Sequence, residues 1–245
     1  MTDKRIRVSI IVACYNEGLV LKESLNSLIR FMDCTNYEYE VILVEDKSND
    51  DTLSKCQEFV NKYPNFKLIC HEFNRGRGKT VTDGILASEN NVVAFIDIDL
   101  ETPVHYLLPL FQAIQDGADV GIADRIYKIK AHSLHRWVLS KGYMHLVRLF
   151  CKTPIFDSES GCKAFNKESI LPVLKEINDE RWFWDTEIIV RSYYKKLNIM
   201  QVPTLFIRRR EIPSTVKLFR DSIRQFSKLL KFSKEIRGKY IVSSQ

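Results

Sequence analysis

Apolar runs of strand length alternate with helical patterns in the first hundred residues. The apolar runs predict strands over 8–13, 40–44 and 66–70, and a fourth strand that ends at Asp97. Between them, apolar residues three or four positions apart predict helices over 19–31, 52–63 and 79–88. This alternation predicts an α/β fold with a mostly parallel central sheet and helices on both of its faces.

The second half of the chain repeats this pattern less regularly. We predict helices over 107–115, 137–150 and 188–197, and strands over 119–123, near 164–165 and over 200–206. Beyond residue 212, apolar residues repeat at helical spacing, with lysines and arginines between them: Val216, Phe219, Ile223, Phe226 and Leu230 against Lys217, Arg220, Arg224, Lys228 and Lys231. The pattern predicts one domain over 1–212 and a basic amphipathic helix within 213–245.

That terminal helix has two possible roles. It packs on the body as an ordinary terminal helix, or it lies on an anionic membrane surface. We expect its first half to pack and its second half to meet the membrane.

Polar clusters follow the predicted strands of the first half. They are Tyr15-Asn16-Glu17, Glu45-Asp46, Asn74-Arg75-Gly76-Arg77-Gly78 and Asp97-Ile98-Asp99. Ligands of parallel sheets bind at the carboxyl ends of the strands. We therefore expect these clusters to converge on one edge of the sheet and to form a single site.

Asp97 and Asp99 come directly after the most apolar of these runs. Carboxylates behind a buried strand are costly unless a cation neutralises them, and Mg²⁺ or Mn²⁺ prefers such hard oxygen ligands. If the strand continues through them, the two side chains project to the same side. The plainer alternative is an acidic loop just past a strand.

Other candidates each have a structural alternative. Arg77 and Lys79 would face a phosphate at a helix start, or be solvated cations. Asp157 is a catalyst or a turn residue, and Asp185 and Glu187 are pocket residues or charges at a helix N-terminus.

Composition sets limits on the class of protein. The chain has 245 residues, a net charge of +6 and six cysteines, none in a CxxC pair. We expect Cys14 and Cys70 to be buried, in a protein of a reducing, cytosolic compartment. No run is long enough for a membrane span, so membrane contact would be peripheral. The basic residues lack an interleaved aromatic platform, which argues against nucleic-acid binding.

In order, the motifs resemble those of the family 2 glycosyltransferases with the GT-A fold. Within that family they are most similar to the dolichyl-phosphate mannose and glucose synthases. The motifs are Ala13-Cys14-Tyr15-Asn16-Glu17, Val44 to Asp50, Asn74 to Lys79, Asp97-Ile98-Asp99-Leu100, Ala123-Asp124-Arg125, Asp157 to Phe165 and Trp182 to Glu187. The family usually has Pro at Ala13, Asp at Glu45, and Gly-Ser-Arg at 123–125.

The resemblance implies a role for each matching residue. The nucleotide sugar would contact Ala13, Tyr15, Glu17, Glu45, Asp46, Arg77, Lys79, Asp97 and Ile98. Mg²⁺ or Mn²⁺ would bind Asp97, Asp99 and Glu101. The acceptor phosphate would meet Arg125, Lys163, Arg208 and Arg210, and the acceptor pocket would include Trp184, Asp185 and Glu187. Asp99, Arg125 and Asp157 would be the catalytic residues.

The function expected from this resemblance is an inverting, metal-dependent transfer of mannose or glucose from a GDP- or UDP-linked sugar to a polyprenyl phosphate. Residues 1–125 would bind the donor and 126–212 the acceptor, at the cytoplasmic face of a membrane, alone, as a homo-oligomer or with a membrane-protein partner. A glycan or polysaccharide hydroxyl is the alternative acceptor, and an inactive nucleotide-sugar-binding protein is the alternative of another class. Asp157 would be the base for a hydroxyl acceptor, but would only position a cation for a phosphate acceptor.

Overall fold

The computed structural model describes residues 6–127, 134–154, 156–207 and 218–241. Within these ranges seven strands form one sheet, in the order β3-β2-β1-β4-β6-β5-β7. The strands are β1 (Arg7–Cys14), β2 (Glu38–Glu45), β3 (Phe66–Cys70), β4 (Val92–Ile96), β5 (Val120–Tyr127), β6 (Cys162–Asn166) and β7 (Ile199–Phe206). β6 runs antiparallel to β4 and β5, and the other pairings are parallel. The predicted mostly parallel sheet is confirmed.

Eight α-helices accompany the strands in the described residues. They are α1 (Gly18–Met32), α2 (Thr52–Lys62), α3 (Arg77–Ala87), α4 (Leu107–Gln115), α5 (Leu134–Cys151), α6 (Lys167–Leu174), α7 (Trp184–Tyr194) and α8 (Leu218–Ile236). Alternation along β1 explains the layers. Ile10 faces the core under α1, α2 and α4, whereas its neighbour Ile11 faces the core under α3, α6 and α7. Helices therefore cover both faces of the sheet, as predicted.

Two elements differ from the sequence prediction. The eight-residue helix α6 was not predicted, since it is short and has Pro172 inside it; the Asn166 side chain caps it by accepting from the Ser169 amide. β4 ends at Ile96, so the strand does not continue through Asp97 and Asp99. These residues form a turn in which the Leu100 amide donates to the Asp97 carbonyl (3.1 Å).

The second half of α8 packs on the body, so our expectation that it meets a membrane was wrong. Leu229, Phe232 and Ile236 are buried in a cluster with α5 and α7. Arg191 of α7 pairs with Glu235 at 2.7 Å and fixes the helix there. The apolar face that a membrane would need is thus already covered.

Two further expectations can be compared with the described residues. All six cysteines are free, and Cys14 is buried as expected, but Cys70 is exposed because β3 is the edge strand of the sheet. No helix in the described parts of the chain has the length and apolar character that crossing a membrane requires.

Candidate active site

Three neighbouring strands end in turns with left-handed backbone at the same edge of the sheet. Asn16 follows β1 (φ 56°), Lys47 follows β2 (φ 61°) and Leu100 follows β4 (φ 51°). Non-glycine residues rarely adopt this conformation, and it is concentrated at functional sites. The predicted convergence of the polar clusters at this edge is what the structure shows.

Three carboxylates form the acidic centre of the edge: Glu17, Asp97 and Asp99, which we call the carboxylate group. Burial and the neighbouring Asp97 raise the pKa of Asp99 to about 7. Burial, together with Asp99 and Asp97, raises the pKa of Glu17 to about 8. Carboxylic acids with such values lack enough positive charge around them. The group therefore favours a proton or a metal ion.

Arg77, at the first turn of α3, connects this group to the antiparallel strand. Its guanidinium donates to Asp97 Oδ1 from Nε (3.0 Å) and Nη2 (2.8 Å), and Nη1 pairs with Asp185. Asp185 also accepts from Lys163 Nζ at 2.6 Å. Arg77 and Lys163 thus share Asp185, and this chain of ion pairs fixes the position of Asp97.

Gly161 allows Asp97 to approach β6. The Asp97 amide donates to the Gly161 carbonyl at 2.8 Å. A Cβ on Gly161 would lie only 1.9 Å from Asp97 Oδ2. Any side chain there would displace the carboxylate, so the glycine is needed for a close approach of Asp97.

Arg125 and Asp157 form a bidentate pair at the β5 side of the site. Arg125 donates to the two carboxylate oxygens from Nε and Nη2, each at 2.6 Å, and its backbone amide donates at 3.1 Å. The Asp157 side chain is 0% exposed. Arg125 holds the pKa of this carboxyl below its ordinary value despite the burial. The rings of Tyr127 and Phe206 lie 5.4 and 5.6 Å from the guanidinium carbon.

The carboxylate group fits a divalent cation by its chemistry. Its ligands are hard oxygens, and the raised pKa values show that negative charge there lacks compensation. The described residues contain no preassembled set of three metal-ligating side chains. Asp97 is turned toward Arg77, and the Asp99 carboxylate accepts from the Glu101 amide at 3.0 Å. A bound ion would have to compete with Arg77 for the Asp97 carboxylate.

Residues 9–173 match the family described as glycosyl transferase family 2, which is more than half of the chain. The chain belongs to this family. The chain is similar to a dolichol-phosphate mannosyltransferase of Pyrococcus furiosus, which is 30% identical over 94% of this chain. A dolichyl-phosphate β-glucosyltransferase of Saccharomyces cerevisiae is 27% identical over 82%. Glycosyltransferase AglD of Haloferax volcanii is 24% identical over 94%.

These relatives are longer than this family member. The chain spans 37% of the Haloferax protein, 66% of the Pyrococcus protein and 67% of the yeast protein. The resemblance to mannosyl- and glucosyltransferases that are named for dolichyl phosphate nevertheless covers most of the chain.

Solved structures confirm the GT-A fold expected of a family 2 protein. Glucosyl-3-phosphoglycerate synthase from Mycobacterium tuberculosis, crystallised with Mn²⁺, UDP and glucosyl-3-phosphoglycerate, has a TM-score of 0.70 at 16% identity. The comparison covers 93% of this chain and 80% of that one. TarS of Staphylococcus aureus, residues 1–349, has a TM-score of 0.65 at 20% identity, over 96% and 66% of the two chains.

Several residues predicted for the donor already have protein partners. Asp46 accepts from the Arg75 and Gly76 amides at 2.7 and 2.8 Å, and Glu45 accepts from the turn that follows it. Lys79 pairs with Asp83 on α3. Ala13 is half-buried, Ile98 is buried and Tyr15 is 39% exposed. Their contacts with a nucleotide remain predictions.

His71 was missed by the sequence reasoning. Its Nδ1 lies 2.7 Å from Asp46 and its Nε2 lies 3.0 Å from Asp83. It thereby connects the β2 end to α3. The signal was available, since His71 directly follows β3 as the other polar clusters follow their strands.

The residues predicted for the acceptor differ in their surroundings. Asp185 belongs to the site, whereas Trp184 is 1% exposed in the core and donates to Thr82 at 2.9 Å. Glu187 is buried and accepts from Arg191 and two loop amides. Lys163 is fully buried against Asp185. Arg208 and Arg210 lie outside the described residues. The acceptor roles of all these side chains remain predictions.

Proposed function

We propose that this chain transfers mannose or glucose from a GDP- or UDP-linked sugar to a polyprenyl phosphate, with inversion at the anomeric carbon. The enzyme would act peripherally at the cytoplasmic face of a membrane. Family membership and the names of the Pyrococcus and yeast relatives support this reaction. The main alternative is transfer to a sugar hydroxyl of a glycan.

The burial and hydrogen bonding of Asp157 favour a phosphate acceptor over a sugar hydroxyl. A sugar hydroxyl must lose a proton, so its transfer needs a general base that touches the acceptor. Asp157 is 0% exposed, and both of its carboxylate oxygens receive hydrogen bonds from Arg125. Its lowered pKa also makes it a weak base. These features favour a carboxylate that positions Arg125 rather than one that removes a proton.

The proposed reaction is then a single displacement. An oxygen of the acceptor phosphate attacks the anomeric carbon while the bond from that carbon to the nucleoside diphosphate breaks. The bonding electron pair leaves with the diphosphate, and no proton has to move. Arg125 is suited to hold the acceptor phosphate, because Asp157 fixes its position and two aromatic rings flank it.

A divalent ion belongs to this proposal. Asp99, Asp97 and Glu101 would hold Mg²⁺ or Mn²⁺, which offsets the charge that develops on the departing diphosphate. The neighbour from Mycobacterium was crystallised with Mn²⁺ and UDP. In this chain Arg77 would keep Asp97 at the edge of the sheet, and Glu17 would be a fourth carboxylate near the ion.

The first experiment combines donors with matched acceptors. GDP-mannose and UDP-glucose are each tested with dolichyl phosphate, undecaprenyl phosphate and the corresponding free alcohols, with Mn²⁺. We expect a glycosylated lipid from one donor and the phosphates only. Product from the alcohols, or product from neither phosphate, would contradict the proposed acceptor.

Asp157→Asn separates a positioning role from that of a base. If Asp157 positions Arg125, the variant should raise the acceptor KM with kcat reduced by less than about tenfold and an unchanged pH profile. Asp116→Asn, an exposed site at the end of α4, is the matched control. Loss of kcat by several orders of magnitude in a folded variant would indicate a base instead.

A further inference from the structure

A buried histidine joins two elements beside the residues predicted for the donor. His71 directly follows β3, and its side chain is 6% exposed. Its Nδ1 lies 2.7 Å from Oδ1 of Asp46, which follows β2, and its Nε2 lies 3.0 Å from Oδ2 of Asp83 on α3. The ring thus lies between two carboxylates that belong to different elements, and no step of the proposed transfer uses it.

Both ring nitrogens of His71 face carboxylate oxygens. An ionised carboxylate only accepts hydrogen bonds, and a neutral imidazole carries a proton on one nitrogen alone. Each carboxylate also has a further donor, since Asp46 accepts from two backbone amides and Asp83 pairs with Lys79. Both are thus placed as acceptors, and two hydrogen bonds from the ring require the doubly protonated imidazolium. In a neutral ring, one nitrogen lone pair would face a carboxylate oxygen.

Asp46 fixes the loop over 74–76 that leads into α3. Its Oδ1 accepts from the Arg75 amide at 2.7 Å, and its Oδ2 accepts from the Gly76 amide at 2.8 Å. α3 begins directly after this loop with Arg77, whose guanidinium donates to Asp97. The position of Arg77 at the site therefore depends on the loop, and the position of the loop depends on Asp46.

The charged groups that face the ring come from β2 and α3. They are Asp46 at the end of β2, and Asp83 and its partner Lys79 on α3. The nearby Arg75 guanidinium pairs elsewhere. In the part of the chain that the structure describes, no lysine or arginine pairs with Asp46, so an imidazolium at His71 is its one cationic partner. Loss of the ring proton would leave Asp46 uncompensated or turn a lone pair toward Asp83.

We propose that His71 is a positioning residue for the donor: its imidazolium fixes Asp46 against α3 and thereby holds the 74–76 loop and Arg77 where a nucleoside diphosphate binds. This inference rests on the proposed function for the identity of that ligand. Histidine is the side chain that changes its charge between about pH 5 and 8. The affinity for the nucleotide should therefore fall when the ring loses its second proton.

Two variants of similar shape separate the two contacts of His71. His71→Asn keeps an N–H donor near the position of Nδ1, toward Asp46, whereas His71→Gln keeps one near Nε2, toward Asp83. Neither new side chain can gain or lose a proton in this range. At pH 6 we expect the donor KM to rise about tenfold in His71→Gln and less in His71→Asn, with kcat reduced less than about twofold in either.

Binding of UDP and GDP with saturating Mn²⁺ measures how the ring proton affects the donor site. Glu17 and Asp99 also change charge near neutral pH, so each variant is compared with the wild type at the same pH. In isothermal titration calorimetry, the wild type should bind one nucleotide about tenfold more tightly than His71→Gln at pH 6, and about equally at pH 8.5. His105→Gln, at an exposed histidine outside this network, is the matched control and should match the wild type at both pH values. An affinity ratio for His71→Gln that is the same at both pH values would overturn the inference.

Amide hydrogen exchange separates this inference from the proposed function, because it needs no ligand. After correction for intrinsic exchange rates, protection of the Arg75 and Gly76 amides should fall in the wild type between pH 6 and pH 8.5, and should be lower at pH 6 in His71→Gln. Protection that neither the pH nor the variant changes would overturn the inference. Nucleotide binding that depends on His71, in a chain that forms no glycosylated lipid, would contradict the proposed function and still support the positioning role. Absence of binding to both UDP and GDP would overturn both.

Discussion

Charge is handled in opposite ways at the two sides of the site. On the donor side, Glu17 and Asp99 have pKa values raised to about 8 and about 7, because burial and neighbouring carboxylates are not offset by cations. On the acceptor side, Asp157 is more deeply buried, yet its pKa is lowered because Arg125 binds both carboxylate oxygens. Burial alone does not determine the charge state.

This difference indicates that the Arg125–Asp157 pair on the acceptor side is structural, whereas the carboxylate group on the donor side is suited to bind a cation. A buried pair with complete hydrogen bonding costs stability when one partner is removed. A group of like charges stores repulsion, which a cation relieves on binding. Variants should therefore have opposite effects on stability at the two sides, and the predictions below test that contrast.

Asp157→Ala should give the largest effect. It leaves the Arg125 guanidinium buried without its carboxylate, which should lower the free energy of unfolding by about 3–5 kcal/mol. Urea denaturation measures this change. Replacing Arg125 with Met in the same variant should restore part of the loss, because the unpaired charge is then gone. Asp116→Ala, at an exposed site, should change stability by less than about 0.5 kcal/mol. A loss below about 1 kcal/mol for Asp157→Ala would contradict a structural role for the Arg125–Asp157 pair.

Gly161→Ala should have the next largest effect. The new Cβ would overlap Asp97 Oδ2, so Asp97 must move and break its 2.8 Å contact with Arg77. We expect a loss of about 1–3 kcal/mol, together with loss of the thermal shift given by Mn²⁺ and a nucleoside diphosphate. Gly142→Ala is the control. Gly142 lies within α5 and has open space around its Cβ position, so the change should stabilise by up to about 1 kcal/mol.

Most of the fold could be predicted from hydrophobic periodicity. β3 and α4 were predicted with the bounds that the structure has, because a short apolar run and a clear helical period mark them. The short capped helix α6 was not predicted, since a helix of eight residues has too few apolar repeats. The antiparallel direction of β6 was also not predicted, because strand direction depends on tertiary pairing.

The site was predicted in its parts but not in its pairings. The position of Asp97 at this edge follows from the end of β4. Arg125 lies within β5, Asp157 precedes β6 and Asp185 is in the first turn of α7, so strand ends alone did not place these three residues. Nothing in the sequence showed that Arg77 binds Asp97 and Asp185 together, because the partners are 20 and 108 positions away. The packing of α8 was missed for the same reason. An amphipathic period shows that a helix has an apolar face, but not what covers it.

Asp99→Asn should have a smaller effect on stability, with the opposite sign to Asp157→Ala. Asparagine keeps an oxygen to accept from the Glu101 amide while removing one charge from the carboxylate group. We expect the free energy of unfolding at neutral pH to be unchanged or raised by up to about 1 kcal/mol. The thermal shift that Mn²⁺ gives with UDP or GDP should disappear. A destabilisation above about 1 kcal/mol would show that Asp99 has a structural role as Asp157 does.

The pH dependence of stability should show the same contrast with the smallest signal. Glu17 and Asp99 bind protons more tightly in the folded chain than in the unfolded one, where their pKa values are 4.5 and 3.8. Their contribution to stability is therefore fully present below those values and is lost as the pH rises toward about 7 and about 8. Asp157, with its lowered pKa, contributes stability above its ordinary value and loses it in acid. Urea denaturation at several pH values measures both slopes. In the double variant Glu17→Gln with Asp99→Asn, the free energy of unfolding should depend less on pH near neutrality, while its dependence in acid should be unchanged. Mn²⁺ should stabilise the wild type more as the pH rises, because fewer protons then compete with it for the carboxylates. If the double variant has the same pH dependence of stability near neutrality as the wild type, Glu17 and Asp99 are not its cause.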